Sequence, residues 1–196
     1  MIAVAAVAAA LAATVGAGSA AAATGCEGQV YEQPFTRWLD YASYTLVPGG
    51  TFESSLTGWT LAGGAKVVSG NEPFDVHGNG ESHSLSLPAG SSATTPTMCV
   101  TLAHPDLRFF ARNTGSSLSA LAVSVTFPTL LGQVTLPVSA VVAGPSWAPT
   151  LPLPIVLNTL ALVSPDGTIP VSFRFTPVLG GNWQIDDTYV DPFKGR

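Results

Sequence analysis

Charge is what this sequence has least of. Only 10% of its 196 residues are charged, and Lys and Arg together number 7. So few cations cannot neutralise a phosphate backbone, which excludes a nucleic-acid binder. There are 3 histidines and 2 cysteines. They show neither an H-E-x-x-H metal helix nor the supporting histidine spacing of a zinc site. No G-x-S-x-G elbow occurs, so a hydrolase of that kind lacks its nucleophile signature. A mostly helical protein is disfavoured by 16 prolines spread along the body. Disorder is excluded by what is present: 46% of residues are hydrophobic and the net charge is only -5.

Residues 2–23 carry no charge and are dominated by Ala and Val. The run closes on Ser19-Ala20-Ala21-Ala22-Ala23, which satisfies the small-residue rule for signal peptidase. We therefore expect residues 1–23 to be a secretory signal peptide cleaved near Ala23, and the protein to be secreted and extracellular. No Lys or Arg precedes the run, a departure from the signal-peptide pattern; since roughly 20 apolar residues can span a bilayer, the alternative is an N-terminal membrane anchor. Cys26 and Cys99 are the only cysteines and both lie beyond the run. In an oxidising compartment they are expected to pair, closing a long loop for about 4 kcal/mol at most; two buried free thiols are the alternative.

From residue 44 onward the pattern is of short strands between turn signals. Leu121, Val123, Val125 and Phe127 alternate with Ala122, Ser124 and Thr126; Val171, Phe173 and Phe175 do so with Ser172, Arg174 and Thr176. Val134, Leu136, Val138 and Ala140 form a third series, and Leu85 and Leu87 a shorter one. A period of two puts one face in a core and the other in solvent. About nine or ten such strands, separated by turns such as Pro48-Gly49-Gly50 and Gly180-Gly181-Asn182, predict an all-β antiparallel sandwich over residues 47–196. Pro152 and Pro154 assign their stretch to an edge strand or an extended connection. Before the sandwich lies an N-terminal segment, 24–46. Its Phe35, Trp38, Leu39 and Ala42 predict a short helix from Pro34 to Tyr44, capping one end of the sandwich.

Two segments are more specific. Pro48-Gly49-Gly50-Thr51-Phe52-Glu53-Ser54 is followed by Thr57-Gly58-Trp59-Thr60, and the chain closes on Gly181-Asn182-Trp183-Gln184-Ile185-Asp186-Asp187-Thr188-Tyr189-Val190. From about Leu46 to Pro192 the sequence resembles the galactose-binding-like jelly rolls, among them carbohydrate-binding modules appended to secreted glycoside hydrolases. With Gly70-Asn71-Glu72-Pro73 and Phe173-Arg174-Phe175, the whole chain also resembles secreted proteins of actinobacteria. The resemblance implies that first and last strands lie side by side, bringing Glu53 and Asp186 together. Two adjacent carboxylates repel unless a proton or cation lies between them, and calcium accepts such oxygens in loose geometry. A structural calcium on Glu53 and Asp186 is thus expected. Asp187 is the reserve ligand, because strict alternation with Trp183 and Ile185 would turn it inward unless a bulge intervenes. The alternative is that each carboxylate caps a turn or pairs with an arginine.

The resemblance also implies a non-catalytic, glycan-binding module. Sugar rings stack on Trp and Tyr while polar groups fix their hydroxyls. Trp59 and Trp183 belong to the end motifs and are expected in the core. Trp147, Trp38 and Tyr41 are the ligand-binding candidates, with Trp147 alternatively a core residue opening a strand and Trp38 and Tyr41 covering the sandwich's end. The alternative function is a structural or protein-interaction domain of the cell envelope, with a cell-wall component as partner. Either way a monomer is expected. Asp75-x-His77 and Glu81-x-His83 each put a carboxylate two positions from a histidine, on one face of an expected strand, and an enzyme built on them ranks third.

Overall fold

The structure, a computed structural model, describes residues 28–191; the Ala-rich run, its cleavage site and Cys26 lie outside the described residues. Among the described residues there are thirteen strands: β1 (Thr45–Leu46), β2 (Thr60–Ala62), β3 (Lys66–Ser69), β4 (His83–Leu87), β5 (Ser92–Thr94), β6 (Met98–Thr101), β7 (Asp106–Asn113), β8 (Ala120–Thr129), β9 (Gly132–Val141), β10 (Ala148–Pro149), β11 (Leu153–Pro154), β12 (Thr168–Val178) and β13 (Trp183–Val190). A 3-10 helix, Val156–Val163, leads into the turn before β12.

Two antiparallel sheets form. One runs β10-β7-β13-β4-β3, with β1 also on β13 and β11 also on β7. The other runs β2-β5-β12-β8-β9, with β6 also on β12. Each sheet buries its apolar alternation against the other. Leu121, Val123, Val125 and Phe127 meet Val171, Phe173 and Phe175 in a core completed by Leu107, Phe109, Ala111, Trp183 and Ile185. Trp59 and Trp183 are both core residues. Each indole still finds a partner, as burial of an N–H demands: Trp183 Nε1 donates to Ser119 Oγ at 3.0 Å and Trp59 Nε1 to the Pro48 carbonyl at 2.8 Å.

The β9 series departs from the expected alternation. Val123 pairs with Ser139 and Ser124 with Pro137, so the register shifts around Val138. Val134 and Val138 reach the core only partly, Leu136 stays 41% exposed, and Val141 rather than Ala140 is buried. The cause is position. β9 is an edge strand with one partner, and an edge tolerates both a bulge and a proline. β11, with Pro154, likewise pairs only along the outer side of β7, as an edge.

The ends of the domain meet as expected. Thr45 and Leu46 pair with Val190 and Tyr189. Beyond them Val47 N–H donates to the Thr188 carbonyl at 2.8 Å, and Thr188 N–H donates to the Gly50 carbonyl at 3.2 Å. Gly50 has to be glycine, because an added Cβ would lie 2.8 Å from the Val47 oxygen and 3.0 Å from the Thr188 oxygen.

The expected helix from Pro34 to Tyr44 is not formed. Only Thr36–Trp38 makes one 3-10 turn, ended by Leu39 at φ 62°. The segment is instead a loop closed by a bridge between Glu32 and Tyr44. It does not cap an end of the sandwich. Phe35 and Tyr44 join Phe110 of β7 and Tyr189 of β13 in a second aromatic cluster, separate from the inter-sheet core. Phe109 and Ala111 face that core, so Phe110 points to the opposite face of its sheet. The helical spacing of Phe35, Trp38 and Ala42 is therefore satisfied by tertiary packing of a loop.

Cys99 is buried in β6, and no cysteine among the described residues is a free thiol. Its bond to Cys26 is an expectation with a direct check. Thiol labelling of the unfolded, unreduced protein should find no free sulfhydryl, and two labelled thiols per chain would disprove it.

Candidate functional site

Two sites arise, one of carboxylates at the end of β13 and one of aromatics over β7. At the first, β13 breaks register between Asp186 and Tyr189, and Asp187 sits at φ 44°. That irregularity is the bulge which decides between the two aspartates. It turns Asp186 and Asp187 to different partners.

Glu53 and Asp186, expected to share a cation, are each bonded to different groups. Glu53 accepts hydrogen bonds from the Ser82 and His83 N–H groups and pairs with His83 Nδ1 at 2.8 Å. Its partial burial pushes its carboxyl up, but the bonds from His83 and Ser82 outweigh that and hold it below the usual range. Asp186 accepts from the Glu72 N–H at 3.1 Å and from the Asp187 N–H at 3.0 Å. Glu53 is thus spent on the Ser82–His83 backbone and the His83 ring, and Asp186 on backbone N–H groups.

The acidic cluster that could hold a metal is formed by Glu72, Glu81 and Asp187, whose carboxylate oxygens lie within 4.8 Å of one another. Asp187 is fully buried, and neither of its oxygens has a hydrogen-bond partner. Glu81 Oε2 and both side-chain polar atoms of Asn71 are buried and unpartnered as well. Burial, reinforced by the neighbouring carboxylates, pushes Asp187 up to about 9 and Asp186 up to about 8. Burial pushes Glu81 up to about 7. Orphaned buried oxygens facing like charges cost free energy that a hard cation would recover. The donor set, oxygen only, fits calcium or magnesium and not a thiolate-seeking metal.

Sequence reasoning missed Glu72 and Glu81. Both lie in the long loop between β3 and β4, and the left-handed Asp75 (φ 52°) breaks the extended run read there. Glu81-x-His83 does not share a strand face, because β4 starts only at His83. The usable signal was two acids, Glu72 and Glu81, flanking a glycine-rich loop in a chain with so little charge. His104 is buried and takes a local role, its Nδ1 accepting the Thr101 N–H at 2.9 Å.

At the second site, the loop closed by Glu32 and Tyr44 is anchored on β7. Phe35 stacks on Phe110 at 5.5 Å between ring centroids, and Trp38 meets Phe74 edge-on at 4.9 Å and Phe110 at 5.3 Å. Arg108 projects from the same face as Phe110. It forms a salt bridge with Asp40, donates Nε–H to the Thr150 carbonyl at 2.8 Å, and lies 4.2 Å from the Phe35 ring centroid. Asp40 also accepts the Tyr44 hydroxyl at 2.7 Å; burial and this carboxylate push the Tyr44 phenol up.

These contacts hold one wall of an open cleft of about 720 Å³, lined by Trp38, Asp40, Tyr41, Asp106, Arg108, Leu151 and Pro152 among others. Tyr41 is 64% exposed. Two of the three ligand-binding candidates, Trp38 and Tyr41, therefore share one concavity. Trp147 is not in its lining. It packs half-buried against the aromatic cluster, with the Arg112 guanidinium 4.9 Å from its ring centroid.

No protein-family model matches this sequence, and no curated protein matches it. Several solved structures are similar in fold. The xylan-binding domain CBM22-1 of Paenibacillus barcinonensis Xyn10C is 16% identical, with 75% of this chain and 94% of that one covered and a TM-score of 0.47. The CBM22-1–GH10 modules of the Clostridium thermocellum xylanase Xyn10B, complexed with xylohexaose, are 13% identical with a TM-score of 0.47. The match spans 72% of this chain but only 27% of that one. The family 11 carbohydrate-binding module of the cellulase Lic26A-Cel5E of Clostridium thermocellum is 12% identical, with 76% and 95% covered and a TM-score of 0.40. The solved structures that this chain resembles thus include carbohydrate-binding modules.

Proposed function

We propose that this protein is an exported, non-catalytic carbohydrate-binding domain, and that its glycan lies in the cleft beside Trp38 and Tyr41. The observation that carries the reading is the cleft itself. A solvent-facing tyrosine and a braced tryptophan offer ring faces to sugar C–H groups, while the polar part of the lining, Asp106 above all, can meet a polar group of the sugar. Such sites combine apolar surface with few polar groups, and here the aromatic wall is fixed before any ligand arrives. Titration with soluble β-linked oligosaccharides, followed by tryptophan fluorescence, tests this. Tyr41→Ala should weaken binding at least about fivefold, the value of one aromatic contact near 1 kcal/mol, with the melting temperature nearly unchanged. Unaltered affinity in both Tyr41→Ala and Trp38→Ala would rule out this cleft. Trp147 is a second aromatic candidate whose substitution reports on a longer binding surface.

We also propose that Glu72, Glu81 and Asp187 hold a calcium ion of structural use. Support comes from the unpartnered, buried oxygens of Asp187 and Glu81. Such an ion would tie the β3–β4 loop to the last strand.

A further inference from the structure

We infer that the cleft beside Trp38 and Tyr41 selects glycans carrying a free amine, such as β-1,4-linked glucosamine units, over neutral or N-acetylated ones. The inference rests on the glycan reading above and adds to it the sign of the charge. Among the described residues, Asp40 and Asp106 line this concavity beside one guanidinium, that of Arg108, with Asp191 at its edge. The guanidinium is already engaged. It is 5% exposed, bridged to Asp40, bonded to the Thr150 carbonyl and stacked over Phe35. It therefore neutralises Asp40 and offers little to a ligand.

Asp106 differs from Asp40. It opens β7 where the strand enters the cleft, it is partly buried, and among the described residues no hydrogen bond acts on its carboxylate. Burial, and then the charge of Asp40, raise its carboxyl above the usual value against the opposing pull of Arg108, so a further cation beside it would be stabilising. The exposed ring of Tyr41 and that of Trp38 line the same space. An ammonium between an unpaired carboxylate and aromatic faces gains from both, since ring faces attract cations. An anionic glycan, bearing carboxylate or sulfate groups, is repelled by the same groups.

The test uses three trisaccharides with one β-1,4 backbone that differ only at C2: the glucosamine trimer, the N-acetylglucosamine trimer and cellotriose. Calorimetric titration in mildly acidic, low-salt buffer keeps the amine charged. The glucosamine trimer should bind about fivefold tighter than cellotriose, the scale of one partly screened ion pair, and lose that advantage in high salt. Asp106→Asn should abolish the preference, so that within that variant the glucosamine trimer and cellotriose bind alike. Asp166→Asn, at an exposed turn outside the cleft, should keep it. Equal binding of glucosamine trimer and cellotriose, or a preference surviving Asp106→Asn, overturns the inference but leaves a glycan cleft standing. Failure of all three sugars to bind overturns both. Displacement of bound glucosamine trimer by a lysine peptide at equal affinity would also overturn it, by showing a general amine site.

Discussion

Adding calcium to the EDTA-treated protein should raise its melting temperature by several degrees, and Asp187→Asn should make the protein indifferent to both reagents. A ligand that binds only the folded state adds about 2.7 kcal/mol at 100 times its dissociation constant. For a domain of this length each kcal/mol is worth roughly 2–4 °C, so the expected shift is about 5–11 °C. The variant carries a second, opposite signature. Asp187 sits among Glu72 and Glu81 with both oxygens unpartnered, so the metal-free protein must hold a proton there at a cost, which an amide removes. Asp187→Asn without calcium should therefore melt no lower than the metal-free parent, while falling below the calcium-loaded one. Glu53→Gln should lose stability by removing the His83 pair, yet keep its response to calcium. A calcium response lost in Glu53→Gln and kept in Asp187→Asn would restore the pairing expected from the end motifs.

That contrast shows how far the sequence could be read. Period-two alternation placed Val123, Val125, Phe173 and Phe175 in the core, because central strands with a partner on each side have no freedom to turn a residue outward. The same rule failed at Leu136 and Ala140, where one bulge on an edge strand reverses the inward set. A bulge is set by backbone geometry and partner register, and the side-chain pattern of one strand does not encode it. At the end of β13 a second bulge put Asp187 with the Glu72 and Glu81 carboxylates and left Asp186 on the Glu72 N–H of the same loop. Alternation named both aspartates and could not choose. The loop acids Glu72 and Glu81 have no periodic signal at all, since a loop places its side chains by its turns. Trp38 and Tyr41 were legible as ring-bearing residues on one segment. Their joining in a cleft was not, because Arg108 and Asp106 come from β7, far along the chain.

The remaining prediction couples that packing to binding. Phe110→Ala should destabilise the protein by about 3–5 kcal/mol, as loss of a buried aromatic ring does when the cavity only partly collapses. Phe110 is fully buried, and its ring centre lies 5.5 Å from Phe35, 5.3 Å from Trp38 and 5.6 Å from Phe74. Removing it takes away the floor on which the segment around Trp38 rests, so glycan affinity should fall as well, although Phe110 does not line the cleft. Phe173→Ala provides the comparison. Phe173 is just as buried, but it belongs to the inter-sheet core rather than to the outer aromatic cluster. Its loss should cost similar stability and leave affinity intact at temperatures where both variants are folded. A loose aromatic wall binds less tightly because ordering it then falls to the ligand. If Phe110→Ala loses stability while binding as the parent does, Trp38 is held by the Glu32–Tyr44 bridge and the Asp40–Arg108 pair, and the cluster acts on the fold alone.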